Sequence, residues 1–479
     1  LTACAPAATP TAAPTEPPKP TDTRPAIEVK EETPTPAPTV EAALYKQAPM
    51  LDAMTDLPPV EERISDNPLV TAPLESIGKY GGTMRTASWW PQHGNVLLYI
   101  SEPPIKWKAD LTGYEPALAE SYEWSADGLT FTLHLRKGVK WSDGEPYTSE
   151  DWKFWWEDMA KNEDYKVRSV PGWLRKLDGS PIDMEFPDAS TVVWKSDKPL
   201  WIAPYYMAQG FWEFADPMMK PAHFLKQYHP TYNSSATYQD LEKYDKFWDV
   251  PGFPCLFAWC LSERSEDGTR YKWARNPYYW RVDTEGNQLP YIDYIDVEIV
   301  SDEQVRLLNC SQGKYDTGFR ICGSPNDIPF LEEQSASGGY KLLKGWMNGA
   351  GAWPGYMVNQ WYVEGGKNYA EDTPEVAAEV RALLRDKRFR KALSWGFDRQ
   401  RIIDVAWNGI GEPKAATISP QSWHFASDEG QQVYKDWAAA DAQFDPEAAN
   451  AALDELVMKN GADGYRTLPS GKPFVLTID

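Results

Sequence analysis

Hydrophobic and polar residues alternate with a period of two along residues 129–136. One side of the pattern carries Leu129, Phe131, Leu133 and Leu135, and the other carries Thr130, Thr132, His134 and Arg136. This alternation predicts a half-buried β-strand, with His134 as an ordinary residue on the solvated face. The Asp127-Gly128 pair just before it is typical of tight hairpin turns, so we expect a hairpin here.

The pattern then changes to a helical period. Thr148 is a suitable N-cap, and Asp151, three residues later, completes a start that resembles a capping box. Large apolar residues recur on one helical face, at Trp152, Trp155, Trp156 and Met159. This spacing predicts a helix that faces the core, and it does not indicate a cofactor site.

Further strands are predicted after a glycine-rich entry at residues 78–85, over residues 291–300 and over residues 472–479. A helical period over residues 386–407 predicts one long helix or two joined ones, ended by Gly409. The last predicted helix starts at Asp445, with a proline at its first position. Residues 283–287 are rich in oxygen ligands, but they lack the length and the terminal glutamate of a calcium loop, so we expect a plain turn.

The N-terminal segment has a different composition. Leu1-Thr2-Ala3-Cys4 is typical of the end of a bacterial lipoprotein signal, although a chance cysteine is the alternative. Residues 5–40 are mostly Pro, Thr, Ala and Glu without apolar periodicity, which predicts a disordered, extended tether. Together these features predict lipidation at Cys4, a chain that starts within the signal, and a domain held outside the cytoplasmic membrane.

Length and charge restrict the classes of partner. The chain has 479 residues, enough for two or three domains. Its formal net charge of −22 repels phosphate backbones, so we expect no nucleic-acid partner. No apolar run reaches the length that crosses a bilayer, so lipid on Cys4 is the only membrane contact that we expect.

Four further cysteines lie at Cys255, Cys260, Cys310 and Cys322. In an oxidising compartment they can pair in three ways. Local pairing, Cys255 with Cys260 and Cys310 with Cys322, is preferred, and free buried thiols are the alternative. The spacing of a structural zinc site is missing, and the five histidines form no suggestive cluster. We therefore expect no metal and no cofactor.

Tryptophan is unusually abundant, with 23 Trp against 16 Phe. Most of these rings are expected to pack in cores, since the indole buries a large apolar area. Some could instead act as flat platforms for the apolar face of a sugar ring or as walls for a peptide side chain.

Several motifs occur in an order that is similar to the family 5 extracellular solute-binding proteins of ABC importers, which include oligopeptide, dipeptide and oligosaccharide binders. The matching stretches cover most of residues 78–479 and read EPALAES at 115–121, LRKGVKWSDG at 135–144, TSEDW at 148–152, RNPYYW at 275–280, QGKYD at 312–316, DKRFRKALS at 386–394 and FDR at 397–399.

This resemblance implies an α/β, two-lobed fold of the type II periplasmic-binding-protein kind, with an extra subdomain on the N-terminal side and a truncated C-terminus. The implied boundaries are a tether at 1–42, lobe I at 43–92 and 215–335, the subdomain at 93–214, and an incomplete lobe II at 336–479. Pro251 to Cys255 replaces a glycine-rich run of relatives, and the 283–290 insert resembles a subgroup with large aromatic clefts. Both put a simple dipeptide ligand in doubt.

The implied function is capture of an oligopeptide or oligosaccharide in a cleft between the lobes and its delivery to permease subunits, by a monomer anchored on the outer face of the cytoplasmic membrane or held in the periplasm. Family frequency favours a peptide and the tryptophan surplus favours a sugar. Candidate cleft residues, for which packing is the alternative, are Trp89, Trp90, Trp346, Trp353, Asn359, Trp361 and Trp423.

Two other classes of function remain as alternatives. A secreted glycoside hydrolase would act through a carboxylate pair, and acidic residues are abundant, but no HExxH, GxSxG or Walker-type motif is present. A cell-surface adhesion or scaffold protein would explain the tether but not the pattern of two hinged lobes. We therefore expect a binding protein and no enzyme.

Overall fold

The structure is a computed structural model. It describes residues 45–89, 96–109, 112–208, 220–318, 321–322, 324–343, 358, 360, 373–456, 464–472 and 474. Within these ranges, helices and strands alternate in groups and form separate sheets and a helical cluster.

The strands are short, with three to six residues each. They are β1 (Leu69–Thr71), β2 (Thr83–Ser88), β3 (Ile105–Trp107), β4 (Tyr114–Pro116), β5 (Ala119–Trp124), β6 (Thr130–Leu135), β7 (Asp183–Asp188), β8 (Thr191–Lys195), β9 (Trp259–Arg264), β10 (Arg270–Arg275), β11 (Arg281–Asp283) and β12 (Tyr294–Ile299).

The helices include single turns and longer elements. They are α1 (Val60–Arg63), α2 (Leu97–Ile100), α3 (Ser149–Lys153), α4 (Ala203–Met207), α5 (Ala222–Leu225), α6 (Tyr238–Tyr244), α7 (Glu303–Ser311), α8 (Ile328–Gly338), α9 (Pro374–Arg385), α10 (Lys387–Trp395), α11 (Arg399–Ala406), α12 (Asp428–Ala439) and α13 (Pro446–Glu455).

One four-stranded sheet joins distant parts of the sequence in the order β2-β12-β10-β9. β2 and β12 are parallel, with Thr86 opposite Val297, whereas β10 is antiparallel to both of its neighbours. On one face, Tyr271, Trp273 and Ile295 are fully buried against α2. Because parallel strands end at the same edge, the ends of β2 and β12 lie side by side.

A second four-stranded sheet is antiparallel throughout, in the order β5-β6-β8-β7. The predicted strand at 129–136 is confirmed as β6, whose burial alternates with Phe131, Leu133 and Leu135 inside. The predicted hairpin turn before it is confirmed, since Gly128 N donates to Ser125 O at 2.8 Å.

The capping box of Thr148 and Asp151 is confirmed at the start of α3. The helix differs from the prediction in its later part, where residues Phe154–Ala160 form a π-helix. Trp152, Trp155 and Trp156 are buried as predicted. Burial, opposed by hydrogen bonds from Thr148 N, Ala222 N and the indole of Trp141, raises the pKa of Asp151 to about 6.

The helices of residues 373–456 have a core of their own, with Leu383, Leu384 and Phe389 buried. Of the two interpretations for residues 386–407, the structure has two helices, α10 and α11. Asp398 caps the second by accepting from Arg401 N. The last predicted helix is confirmed as α13, with Asp445 as its cap. The strand predicted at 472–479 lies outside the described residues, apart from 472 and 474.

The predicted turn at residues 283–287 is confirmed. The carboxylate of Asp283 accepts hydrogen bonds from Glu285 N, Asn287 N, the Asn287 amide and the Tyr291 hydroxyl. These donors occupy the oxygens of the Asp283 carboxylate, which a calcium ion would need as ligands.

Candidate functional site

A cleft of about 350 Å³ opens where β2 and β12 end. This volume is at the small end of the range of ligand sites, about 300–1,000 Å³. Its walls come from the residue after β2, from the first turns of α7, and from the segment that leads into α8. The lining residues are Trp89, Glu303, Arg306, Leu307, Ile321, Cys322, Ser324 and Asp327.

The ends of β2 and β12 are hydrogen-bonded to each other next to this cleft. Val300 N donates to Ser88 O at 2.8 Å, so the backbone pairing of β2 with β12 continues to the last residue of β2. Arg85 in β2 forms an ion pair of 2.8 Å with Asp316, and Asp316 belongs to the QGKYD motif. The next residue after β2 is Trp89, which is thereby placed at the cleft.

Trp89 presents a large part of its ring to solvent, with 46% of the residue exposed. An indole at the edge of a cleft offers an apolar face and a polar N–H. Its position after a parallel strand agrees with the general rule that ligands of α/β sheets bind beyond the carboxyl ends of the strands.

α7 forms one wall because its N-terminus follows β12 directly. The carboxylate of Asp302 caps this helix by accepting from Val305 N at 2.9 Å. Arg306, one turn later, is 9% exposed. Its Nη1 donates to Val300 O and Ser301 O at 2.7 and 2.8 Å, and its Nε donates to Ile321 O at 3.4 Å. The guanidinium therefore ties the end of β12 to the opposite wall.

The opposite wall is joined to α7 by a covalent bond. Cys310, near the end of α7, forms a disulfide with Cys322, and their Cα atoms are 6.5 Å apart. The wall then leads into α8 through a capping box, in which Ser324 donates from N and Oγ to the carboxylate of Asp327 at 3.2 and 2.8 Å.

The polar groups of the cleft suit hydrogen bonding to a ligand. Glu303 and Asp327 supply carboxylates, and Ser324 supplies a hydroxyl. Carboxylates accept hydrogen bonds and can bind hydroxyl groups. No group of three or more His, Cys, Asp or Glu that could hold a metal ion occurs among the described residues.

Of the predicted cleft residues, the structure places Trp89 at the cleft. Trp423 belongs to a short 3₁₀ turn, Trp423–Phe425, but its side chain lies outside the described part. The remaining predicted residues also lie outside it: Cys4, Trp90, Trp346, Trp353, Asn359 and Trp361. Cys255 forms a disulfide with Cys260, so both pairs follow the local arrangement that the sequence favoured.

Four residues of the cleft were not predicted from the sequence: Glu303, Arg306, Ser324 and Asp327. Two signals were present in the sequence: Asp302 is an N-cap residue, and Ser324 followed by Asp327 is a capping-box pattern. These signals would have located the two helices. They would not have shown that the helices meet at one cleft. In the described ranges no helix has both the length and the hydropathy to cross a membrane.

Comparison with known proteins gives the family. The model of "Bacterial extracellular solute-binding proteins, family 5 Middle" matches residues 113–479. The periplasmic alpha-galactoside-binding protein of Rhizobium meliloti (strain 1021) is 28% identical over 450 residues, which are 87% of this chain and 60% of that protein. A probable ABC transporter-binding protein of Deinococcus radiodurans is 27% identical over 383 residues, 76% of this chain and 56% of that protein. The chain thus spans less than two thirds of the length of these relatives.

Solved structures agree in fold. The oligopeptide-binding protein OppA matches with a TM-score of 0.64 and 32% identity, covering 91% of this chain and 67% of that one. MelB of Agrobacterium fabrum C58, solved with stachyose, matches with a TM-score of 0.63 and 24% identity, covering 90% of this chain and 65% of that one. The predicted α/β fold of the type II periplasmic binding proteins is confirmed. With this fold and a match from residue 113 to residue 479, the chain belongs to the bacterial extracellular solute-binding proteins of family 5.

Proposed function

We propose that the chain is the solute-binding component of an ABC importer and that it binds an oligosaccharide in the cleft beside Trp89. The observation that carries this proposal is an exposed indole next to two carboxylates and a hydroxyl, at the ends of two parallel strands. The similarity to the alpha-galactoside-binding protein of Rhizobium meliloti supports the choice of sugar.

The chemistry of the cleft matches a pyranose. The C–H face of the ring can stack on the Trp89 indole, while its hydroxyls donate to Glu303, to Asp327 and to the Ser324 oxygen, whose own proton is donated to Asp327. A net affinity in the micromolar range needs about 8 kcal/mol. A cleft of about 350 Å³ holds part of an oligosaccharide, so the second lobe supplies the remaining contacts.

Binding would work without a chemical step. A ligand that contacts both lobes only in the closed form shifts the open–closed equilibrium by its differential affinity. The permease then recognises the closed form. Lipid on Cys4 would keep the protein at the outer face of the cytoplasmic membrane, with residues 5–40 as the tether.

Calorimetric titration tests this proposal. The α-galactosides raffinose and stachyose are expected to give saturable heat with one site per chain, whereas tri- to pentapeptides give none. Chromatography of the recovered sugar should show it intact. A cleaved sugar would indicate a glycoside hydrolase instead, and heat from peptides alone would reject the oligosaccharide.

A substitution at Trp89 locates the site. Trp89→Ala removes the stacking surface and should weaken sugar binding by about 1–2 kcal/mol, roughly 5- to 30-fold in Kd, by analogy with aromatic contacts of about 0.5–1.5 kcal/mol plus lost apolar burial. Trp437→Ala is the matched control, because Trp437 lies on α12 and is 44% exposed. Equal losses in both variants would argue against binding at Trp89.

The second candidate ligand is an oligopeptide. It is favoured by the 32% identity with the oligopeptide-binding protein OppA. In that case, the carboxylates of Glu303 and Asp327 would face the peptide's positively charged groups, and the same titration would show heat with peptides and none with sugars.

A further inference from the structure

Arg306 places a positive charge in the wall of the cleft. It is the one cation among the described lining residues, and 9% of it is exposed. A guanidinium that is removed from water needs partners for its five N–H groups. The hydrogen bonds that Arg306 forms within the protein therefore show which of its N–H groups remain for a ligand.

Three backbone carbonyls take up part of this capacity. Nη1 donates to Val300 O and Ser301 O, and Nε donates to Ile321 O. Nη2 donates to no acceptor in the described part of the chain. It is also not one of the described side-chain atoms that are fully buried and lack a hydrogen-bond partner. Nη2 therefore keeps some contact with solvent, and Arg306 is one of the residues that line the cleft.

Two other buried arginines show that this arrangement is not a general feature of the fold. Arg63 and Arg136 are 0% and 5% exposed and, like Arg306, form no ion pair with a described carboxylate. Each of them donates from all three guanidinium nitrogens to the protein. Arg306 differs because one nitrogen and its charge are left for a partner from outside.

We infer that Nη2 of Arg306 binds a carboxylate of the ligand, so that the cleft selects an oligosaccharide that carries one uronic acid. This inference rests on the proposed function. A carboxylate is the acceptor that a guanidinium binds most strongly, through charge-assisted hydrogen bonds. Arg306 is thus a specificity-determining residue, and it also braces the cleft through its carbonyl contacts.

The acidic residues near Arg306 favour a ligand that carries only one negative charge. The carboxylate of Asp327 is already held by Ser324 N and Oγ, and Glu303 lies on the exposed first turn of α7. Both can accept from sugar hydroxyls. Because they and the net charge of −22 repel anions, further carboxylates on the ligand would weaken binding.

The test compares one ligand in two charge states. Aldotetraouronic acid, a xylotriose with a single glucuronate, and its methyl ester have nearly the same shape, and only the acid is charged. In calorimetric titration at low ionic strength, the wild-type chain should bind the acid about tenfold more tightly than the ester, as expected for one charge-assisted contact. Added salt should reduce this preference.

Variants of Arg306 assign the preference to this residue. Arg306→Gln should reduce the acid-to-ester ratio to less than about twofold, while Arg306→Lys retains a preference for the acid because the charge remains. The Kd of the ester in Arg306→Gln reports how much affinity is lost when Arg306 no longer braces the cleft, and the acid-to-ester ratio measured within each protein removes that loss from the comparison. Should neither variant fold, the acid–ester comparison on the wild-type chain decides alone.

Each result has a distinct meaning. Equal binding of acid and ester, or tighter binding of the ester, overturns the role of Arg306 but leaves sugar binding intact. An acid preference that persists in Arg306→Gln also overturns it. If neither these ligands nor stachyose gives heat, the proposed function itself fails.

Discussion

The disulfide between Cys310 and Cys322 should control the affinity of the cleft as well as the stability of the chain. It joins α7, which supplies Glu303 and Arg306, to the wall that contains Cys322 itself. The perturbation is Cys310→Ala with Cys322→Ala, since alanine adds no buried hydroxyl. Freeing this wall lets it move relative to α7 before the ligand arrives.

The stability effect follows from the length of the closed loop. A separation of 12 residues corresponds to about 2.8 kcal/mol of unfolded-chain entropy at 25 °C, and the separation of 5 residues between Cys255 and Cys260 to about 2.1 kcal/mol. The two double variants should therefore lose similar stability. Denaturant unfolding measures this loss through the shift of the midpoint.

The affinity effect separates the two disulfides. Re-ordering about two freed wall side chains on binding costs about 1–3 kcal/mol, which weakens the Kd roughly 5- to 150-fold. Cys255–Cys260 is the matched control, because Cys260 lies on β9, which is separated from β2 by two strands. Calorimetric titration with stachyose should show the loss in the first variant and little change in the second. Equal affinities in all three proteins would refute the role assigned to this disulfide.

Three further predictions concern stability. Asp245→Ala should lower the free energy of unfolding by about 3–5 kcal/mol, because it removes the buried carboxylate that pairs with buried Lys220 and half-buried Arg168. Asp183→Ala, which breaks a more exposed pair, should cost under about 1 kcal/mol. Chemical denaturation compares the two variants. Burial alone would lower the pKa of His223, but its hydrogen bond to Asp143 at 2.8 Å and the charge of that carboxylate raise it. The contact between His223 and Asp143 therefore stabilises the fold fully below pH 6.5. This stabilisation is lost as the pH rises through the raised pKa of His223. The stability difference between wild type and His223→Gln should thus be larger at pH 6 than at pH 9, and a constant difference would contradict this. Thr148→Ala should cost about 0.5–2 kcal/mol through loss of the cap, and thermal melting that shows no decrease would exclude a stabilising cap.

Local patterns predicted local structure well. The alternation from Leu129 to Leu135 gave the correct strand and the correct buried face, because the period of side chains in a strand is two. Thr148 and Asp151 gave the start of α3, because a capping box is formed within four residues. The π-helix after it could not be read from the sequence, since the apolar spacing of Trp152, Trp155 and Trp156 also fits an α-helix.

The cleft was harder to predict because it depends on contacts between distant residues. β2 and β12 are adjacent parallel strands, yet Thr86 and Val297 are more than 200 positions apart. No periodicity within either strand specifies this pairing. Trp89 could be proposed because it directly follows a strand. Arg306 could not, since its role depends on the carbonyls of Val300, Ser301 and Ile321 that surround it.

The most direct test of the central claim is a crystal structure of the chain grown with stachyose. Our account predicts an intact tetrasaccharide with one pyranose ring stacked on Trp89 and its hydroxyls within hydrogen-bond distance of Glu303, Ser324 or Asp327. Density for sugar only at a site away from Trp89, or for a cleaved product, would contradict it.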